Sequence, residues 1–333
     1  MKKLSVNCFQ YIILAIAGTT LFLSSCNLIQ ENSNETYNLA FEHYNKNEFA
    51  DAFKLFQKAA NNGNAEAMNM VGRMYQQGEG TTLDYQTAMK WFQKGGEAGS
   101  DAALCNIGWM YDKAEGVPED NVKAVSWYKK AVEAGNTAAI NNMGWMYENG
   151  EGVDQDYQKA MGWYKRAARK GHALAKNNIG WMYEYGEGVK VDYAQAMKWY
   201  EEAAKEAVPE AYFNIGYMIE CGRGVDTNYK KAMEWYHLAA DKGYSDAMNN
   251  IGWLYEHGKG VDTDHAEAMK WYSKAAALGN SNSMSNIGWM YEEGEGVAQN
   301  NETALEWYRK AEKAGNVDAA EYIEKLNKKR KKF

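Results

Sequence analysis

The chain has 333 residues, 46% of them apolar or aromatic, with 12 Trp, 24 Tyr and 31 Gly, enough to build a packed core. It carries 44 acidic against 37 basic residues, for a net charge of −7. Six of the basic residues crowd the C-terminus (Lys325, Lys328, Lys329, Arg330, Lys331 and Lys332), so the remaining body is more acidic still, which argues against nucleic acid as a partner.

The first residues read as an export signal. Lys2 and Lys3 give a positive start, Tyr11 to Gly18 and Leu21-Phe22-Leu23 form a short apolar stretch, and Leu23-Ser24-Ser25-Cys26 follows. The stretch is too short and interrupted for a typical membrane-spanning helix, which needs about 20 apolar residues. The Leu-Ser-Ser-Cys ending resembles the lipobox of bacterial lipoproteins. That resemblance implies cleavage before Cys26 and lipidation of its sulfur and amino group. An ordinary signal peptide with a chance cysteine is the alternative. The segments are then 1–25 as lipoprotein signal peptide and 26–36 as lipidated cysteine with a polar, flexible tether. The protein is expected to be exported and membrane-anchored. Asn27 does not resemble an aspartate-type retention signal, which favours the outer membrane over the inner one.

From there a 36-residue period dominates. Gly72, Gly108, Gly144, Gly180, Gly216, Gly252 and Gly288 are each followed 19 residues later by an aromatic pair, at Trp91, Trp127, Trp163, Trp199, Trp235, Trp271 and Trp307. A fixed period of this length marks stacked supersecondary units. In the unit from Asn136 to Gly171, Ile140, Met143 and Tyr147 share one face of a first helix over 137–149. Gly144 sits inside that helix, where glycine costs about 1 kcal/mol, so close approach of a neighbouring helix must require it. Gly150-Glu151-Gly152-Val153 ends the helix, Asp156 caps the next, and Ala160, Tyr164, Ala167 and Ala168 form its buried stripe before Gly171. The Gly-x-Gly follows a helix and not a strand, so it is no dinucleotide fingerprint.

A helix ending in Met-Gly-Trp-Met-Tyr, a Gly-Glu-Gly-Val loop, an Asp-Tyr start and then Ala-Met-x-Trp-Tyr-x-x-Ala-Ala resembles the Sel1-like repeat, a longer relative of the tetratricopeptide repeat. The resemblance implies an all-α, right-handed solenoid, with seven repeats over 65–315. Residues 37–64 resemble a shorter tetratricopeptide-like capping unit. Residues 316–333 are expected to form a C-terminal capping helix with a basic tail.

In tetratricopeptide-like stacks the first helices line the concave face. The resemblance implies that three rungs, kept near one helix face by their i, i+3, i+6 spacing, point into it: Asn106, Asn142, Asn178, Asn214, Asn250 and Asn286; then Trp109, Trp145, Trp181, Tyr217, Trp253 and Trp289; then Asp112, Glu148, Glu184, Glu220, Glu256 and Glu292. Amides offer donor and acceptor together, indoles a flat apolar surface, and acids select against anions. The set suits an extended partner, either another protein's peptide segment or a glycan chain. Equally, the rungs could be packing consensus, with asparagine bonding backbone and tryptophan wedged between helices. One unit departs from the pattern. Ala207 replaces the capping glycine, Pro209 opens the helix, and Phe213, Tyr217 and Cys221 recur on one face with Glu210 and Glu220 beside them. These five residues form a candidate specificity patch.

No catalytic, metal or cofactor site is expected. Cysteine-rich relatives described as β-lactamase-like carry paired cysteines, which this chain lacks, leaving a hydrolase as the third reading behind a protein-binding scaffold and a glycan-binding lipoprotein. The Ser126-x-x-Lys129 match stands on a rung that varies between repeats and has no Lys-Thr-Gly beside it. His257 and His265 flank a loop without cysteine partners, a weak zinc case. Cys105 and Cys221 lie more than three repeats apart and are expected to be free thiols. Replacing Cys26 with Ala is expected to move the protein from the membrane fraction to the soluble fraction; unchanged fractionation on carbonate-washed membranes would reject the lipid anchor.

Overall fold

The structure, a computed structural model, describes residues 32–330. The export signal, Cys26, most of the tether, and Lys331 and Lys332 lie outside the described residues. Every regular element in that range is helical. Helix α1 (32–45) and α2 (Phe49–Asn61) come first. First helices α3 (Ala65–Gln77), α5 (Asp101–Asp112), α7 (Thr137–Asn149), α9 (Ala173–Tyr185), α11 (Pro209–Cys221), α13 (Ser245–Glu256) and α15 (Ser281–Glu293) then alternate with second helices. The second helices are α4 (Tyr85–Glu97), α6 (Asn121–Ala134), α8 (Tyr157–Arg169), α10 (Tyr193–Ala204), α12 (Tyr229–Ala240), α14 (His265–Ala277) and α16 (Asn301–Lys313), and α17 (Ala319–Arg330) follows. The chain divides into two compact units, one ending at Ala167 and the other beginning at Ala168. Within each, the main packing is between helices adjacent in the chain, as expected of an α-solenoid.

Local chemistry sets the boundaries. Each second helix opens on an Asp or Asn whose carboxylate or amide oxygen accepts a backbone N–H of the first turn, as Asp120 does from Lys123 at 2.9 Å and Asn228 from Lys231 at 3.0 Å. First helices stop at a left-handed residue, as at Gly150 with φ of 73°. Ala207 holds the same left-handed backbone, φ 58°, as the glycines on its rung, so the turn survives the substitution.

The glycine rung has a single explanation. A Cβ built on Gly108 would lie 2.7 Å from the ring of Tyr128, and one on Gly144 would lie 2.5 Å from Tyr164. The same contact recurs between Gly180 and Tyr200, Gly216 and Tyr236, Gly252 and Tyr272, and Gly288 and Tyr308. The second ring of each aromatic pair therefore lies flat on the first helix, and those tyrosines are buried. Ala160, Tyr164 and Ala167 are fully buried as the stripe predicts, while Ala168 is only half-buried.

The ends differ. In α17 the position equivalent to the glycine is Glu324, which is exposed, so this helix offers no seat for a further ring. Its buried face is carried by Ala319 and Leu326. Gly144→Ala is expected to lower stability by about 1–3 kcal/mol through overpacking. Gly162→Ala, exposed within α8 and with nothing within 4 Å of an added Cβ, is expected to raise it by about 0.5–1 kcal/mol. Denaturant titration of both variants checks the opposite signs.

Candidate functional site

The three first-helix rungs have three different fates. The carboxylates turn inward. Tyr128 Oη donates to Asp112 at 3.0 Å, Tyr200 Oη to Glu184 at 2.6 Å and Tyr308 Oη to Glu292 at 3.0 Å. Tyr164, Tyr236 and Tyr272 donate likewise to Glu148, Glu220 and Glu256. Asp112 and Glu184 are buried. One oxygen of each acid thus accepts from the tyrosine hydroxyl of the same hairpin. Burial, then the nearby carboxylate charge, pushes the phenols of Tyr200, Tyr236 and Tyr272 far above their ordinary range, so the hydroxyls stay protonated donors.

The asparagines link successive first helices. Asn106 Nδ2 donates to Asn69 Oδ1 at 2.8 Å, Asn214 to Asn177 at 2.9 Å and Asn286 to Asn249 at 3.1 Å. Asn142 Nδ2 meets Cys105 Sγ at 3.8 Å. The amide partner is a side chain 37 positions earlier, not the backbone. Asn178 and Asn250 are half-buried on the same rung, with Asn250 accepting from Asn249 at 3.4 Å. Burial pushes the Cys105 thiol up to about 12, and both Cys105 and Cys221 are free thiols.

The aromatic rung points outward. Trp109, Trp145, Trp181 and Trp289 keep 38–44% of their surface exposed. Trp181 packs on Tyr185 in a tilted pair with ring centroids 4.1 Å apart, and Trp253, half-buried, stacks on His257 at 4.4 Å. His265 instead pairs with Glu295, so the two histidines serve different neighbours. Ser126 and Lys129 are exposed side chains on α6.

The departing unit does gather its residues. Phe213 and Tyr217 stack with centroids 6.2 Å apart, and Phe213 also packs on Tyr236 and Tyr244. Cys221, one turn beyond Tyr217 on α11, is an exposed free thiol. Burial, then the charges of Asp246 and of half-buried Glu210, lifts the Tyr244 phenol to about 12. Glu220 is taken up by Tyr236. Sequence reasoning missed Arg223, although the signal was present: it reverses the charge of the Gly-Glu-Gly loop. Arg223 Nη1 donates to Glu184 Oε1 at 2.6 Å and to Tyr185 Oη at 3.1 Å, and its guanidinium lies over the rings of Tyr185 and Tyr217. It thus ties the patch to the preceding repeat.

Among the described residues no group of three or more His, Cys, Asp and Glu is placed to hold a metal, and no helix is long and apolar enough to cross a membrane.

The Sel1 repeat family profile matches this chain over 37–64, 65–100, 101–136, 137–172, 173–207, 209–244, 245–280 and 281–316. The chain belongs to the Sel1 repeat family. The match takes in 37–64 as a repeat alongside the seven longer ones. Among solved structures, a Sel1 repeat protein from Oxalobacter formigenes is 35% identical, with a TM-score of 0.65, covering 75% of this chain and 100% of that one. A protective antigen of uropathogenic Escherichia coli with an SLR fold is 30% identical, with a TM-score of 0.51, over 85% of this chain and 69% of that one. Yeast Tom70, 14% identical with a TM-score of 0.54 over 91% of this chain and 60% of that one, shares the fold alone. No curated protein matches this chain.

One Sel1 rung acid carries a measurable charge cost. Burial raises the Glu220 carboxyl above its ordinary 4.5, and the Tyr236 hydrogen bond offsets this only in part. Its folded value lies above its unfolded value, so ionising Glu220 costs stability once pH exceeds the folded value, and the cost vanishes below the unfolded one. Glu220→Gln keeps an acceptor for Tyr236. It is expected to raise the thermal midpoint near neutral pH, with the gain fading as pH falls through the raised folded value and gone below about 4.5; a gain that grows on acidification would contradict this.

Proposed function

We propose that this Sel1 repeat protein is a non-enzymatic scaffold that binds an extended polypeptide partner along the tryptophan-bearing face of its first helices. The supporting observation is the division of labour among the rungs. Acids bond tyrosines and most of the asparagines bond one another, whereas the indoles of Trp109, Trp145, Trp181 and Trp289 remain exposed on the first helices. Rigid, spaced aromatic surfaces lose little entropy on binding and supply large contact areas. Repeat stacks present such surfaces in register for long ligands. The patch of Phe213, Tyr217 and Cys221, with Arg223 over Tyr217, is proposed as the place where the partner is discriminated, because several departures from the repeat gather there around stacked rings.

The lipid on Cys26 is proposed to tether the scaffold to the outer membrane of an exporting bacterium, leaving the repeats free to engage an envelope partner. The protein is then an adaptor that holds another protein at the membrane.

A pull-down from solubilised envelope, using the chain from Asn27 onward, tests the binding face. A protein partner captured by the wild type and lost when Trp145, Trp181 and Trp253 are changed to Ala, with helical signal intact, is the expected result. A partner retained by that variant would remove the indoles from the site, and polysaccharide retained by the wild type alone would replace the polypeptide reading with a glycan one.

A further inference from the structure

Three residues after the helix glycine, six first helices carry a tyrosine: Tyr75, Tyr111, Tyr147, Tyr183, Tyr255 and Tyr291. In α11 that position is Ile219. The six tyrosines are half-buried, with part of each side chain in solvent, whereas the shorter Ile219 is only 4% exposed.

A second substitution accompanies the first. The third residue of the second helix is lysine in α6, α8 and α12. Lys123 lies over the Tyr111 ring at 5.3 Å and pairs with Asp120 at 2.8 Å. Lys159 lies over Tyr147 at 5.4 Å and pairs with Asp156 at 3.1 Å. Lys231 has neither neighbour, because the ring position is Ile219 and the cap is the uncharged Asn228. Lys231 is exposed and forms no ion pair among the described residues.

The space beside Ile219 is open. A cleft of about 310 Å³ lies there between α10, α11, α12 and the loop after α11. Its apolar wall is Met197, Ile215, Val225 and Trp235. Val225 keeps 42% of its surface exposed, and Met197 and Trp235 are half-buried, so the wall is reached from solvent. The exposed Glu201, Asp226 and Lys231 also line the cleft. The equivalents of the wall residues, 108 positions earlier, are Met89, Ile107, Val117 and Trp127. There they belong to one packed cluster with Tyr111. The cleft wall is thus the bed of a tyrosine ring from which the ring has been removed.

We infer that this cleft receives an aromatic side chain of a polypeptide partner, the ring taking the place of the absent tyrosine beneath the Lys231 ammonium. The other repeats supply the template for shape. Lys231 supplies the complementary charge, since the face of an aromatic ring attracts an ammonium within about 6 Å. An aliphatic side chain would fill the same space without that attraction. Glu201 and Asp226 disfavour an acidic neighbour on the ligand. The inference goes beyond the reading of the first-helix indoles, because it assigns a second contact surface that none of them lines.

Saturation-transfer NMR of the full-length protein in detergent tests it, with the capped tripeptide acetyl-Ala-Tyr-Ala-amide as probe and acetyl-Ala-Leu-Ala-amide as contrast. The expected result is transfer to the tyrosine ring protons and binding of the leucine peptide weaker by about threefold or more. Ile219→Tyr restores the ring of the other repeats. It should abolish probe binding while leaving the thermal midpoint unchanged or raised. Lys231→Met, at an exposed position without an ion pair, should weaken probe binding about threefold with the fold intact. No transfer to the tyrosine peptide, equal binding of the leucine peptide, or undiminished probe binding by either variant would overturn the inference. A lowered midpoint in Ile219→Tyr would also overturn it, since the space would then not fit a ring. Trp145, Trp181 and Trp253 lie outside this cleft. A partner lost by the variant of those three, together with no peptide transfer, would therefore sink the cleft alone. Ring transfer blocked by Ile219→Tyr, with the partner retained by that variant, would sink the indole reading alone.

Discussion

The contact on which six of the seven α3–α16 hairpins depend is a tyrosine ring laid flat on a glycine, with its hydroxyl bonded to a carboxylate one turn further along the same helix. Gly180, Tyr200 and Glu184 show the three parts together. The glycine is needed because a methyl group would collide with the ring. The ring supplies the buried area, and the hydrogen bond to an ionised acceptor adds about 1.5–3 kcal/mol while fixing the ring's rotation. The unit of 65–100 works as an internal control. There the aromatic is Phe92, still lying on Gly72, and the acid position is Gln76. Hydroxyl and carboxylate are lost together while glycine and ring stay. A tyrosine there would bury its hydroxyl without a charged acceptor, and an acid there would have no hydroxyl to receive.

With the acids occupied inside the hairpins, the exposed chemistry of the first helices is aromatic rather than charged. Trp145 and Trp289 keep much of their surface in contact with solvent. Rings of the other tryptophan series lie on the second helices, where Lys130, Lys274 and Lys310 sit over Trp127, Trp271 and Trp307 at 3.8–3.9 Å. Those indoles are covered by their own helix, and this separates them from the first-helix series as candidate contact surfaces.

Breaks in the repeat are where the amide ladder is interrupted. Cys105 accepts from Asn142 through sulfur, a weak acceptor. Phe213 fills an acceptor position with a ring and recruits Tyr236 and Tyr244 around it. Ser285 keeps a polar atom there but has no partner. Arg223 adds the opposite device, a cation that crosses from its loop to Glu184 and Tyr185 of the preceding hairpin. Each break exchanges an interchangeable repeat contact for an individual one, and individual contacts are what a uniform array needs in order to discriminate between partners.

Period, helix pairing, caps and the glycine–aromatic match were legible in the sequence, because they are local. A 36-residue repeat, Asp or Asn at the start of second helices and a glycine inside a helix each state their reason within one or two turns. Direction of the rungs was not legible. Asn, Trp and acid follow one another at i, i+3 and i+6, a spacing that places all three near one helix face and says nothing of which one a neighbouring helix covers. The packed structure alone decided that Glu184 turns to Tyr200, that Asn214 reaches Asn177 on the previous first helix, and that Trp181 stays in solvent. The physical reason is that burial and cross-helix bonds depend on residues 16 to 37 positions away meeting in space. Periodicity records that such residues recur but not which atoms face each other. Ser285 makes the same point at one position, since a serine in a row of asparagines is a small change in sequence and an unpartnered buried hydroxyl only after Tyr322 has turned onto Tyr308.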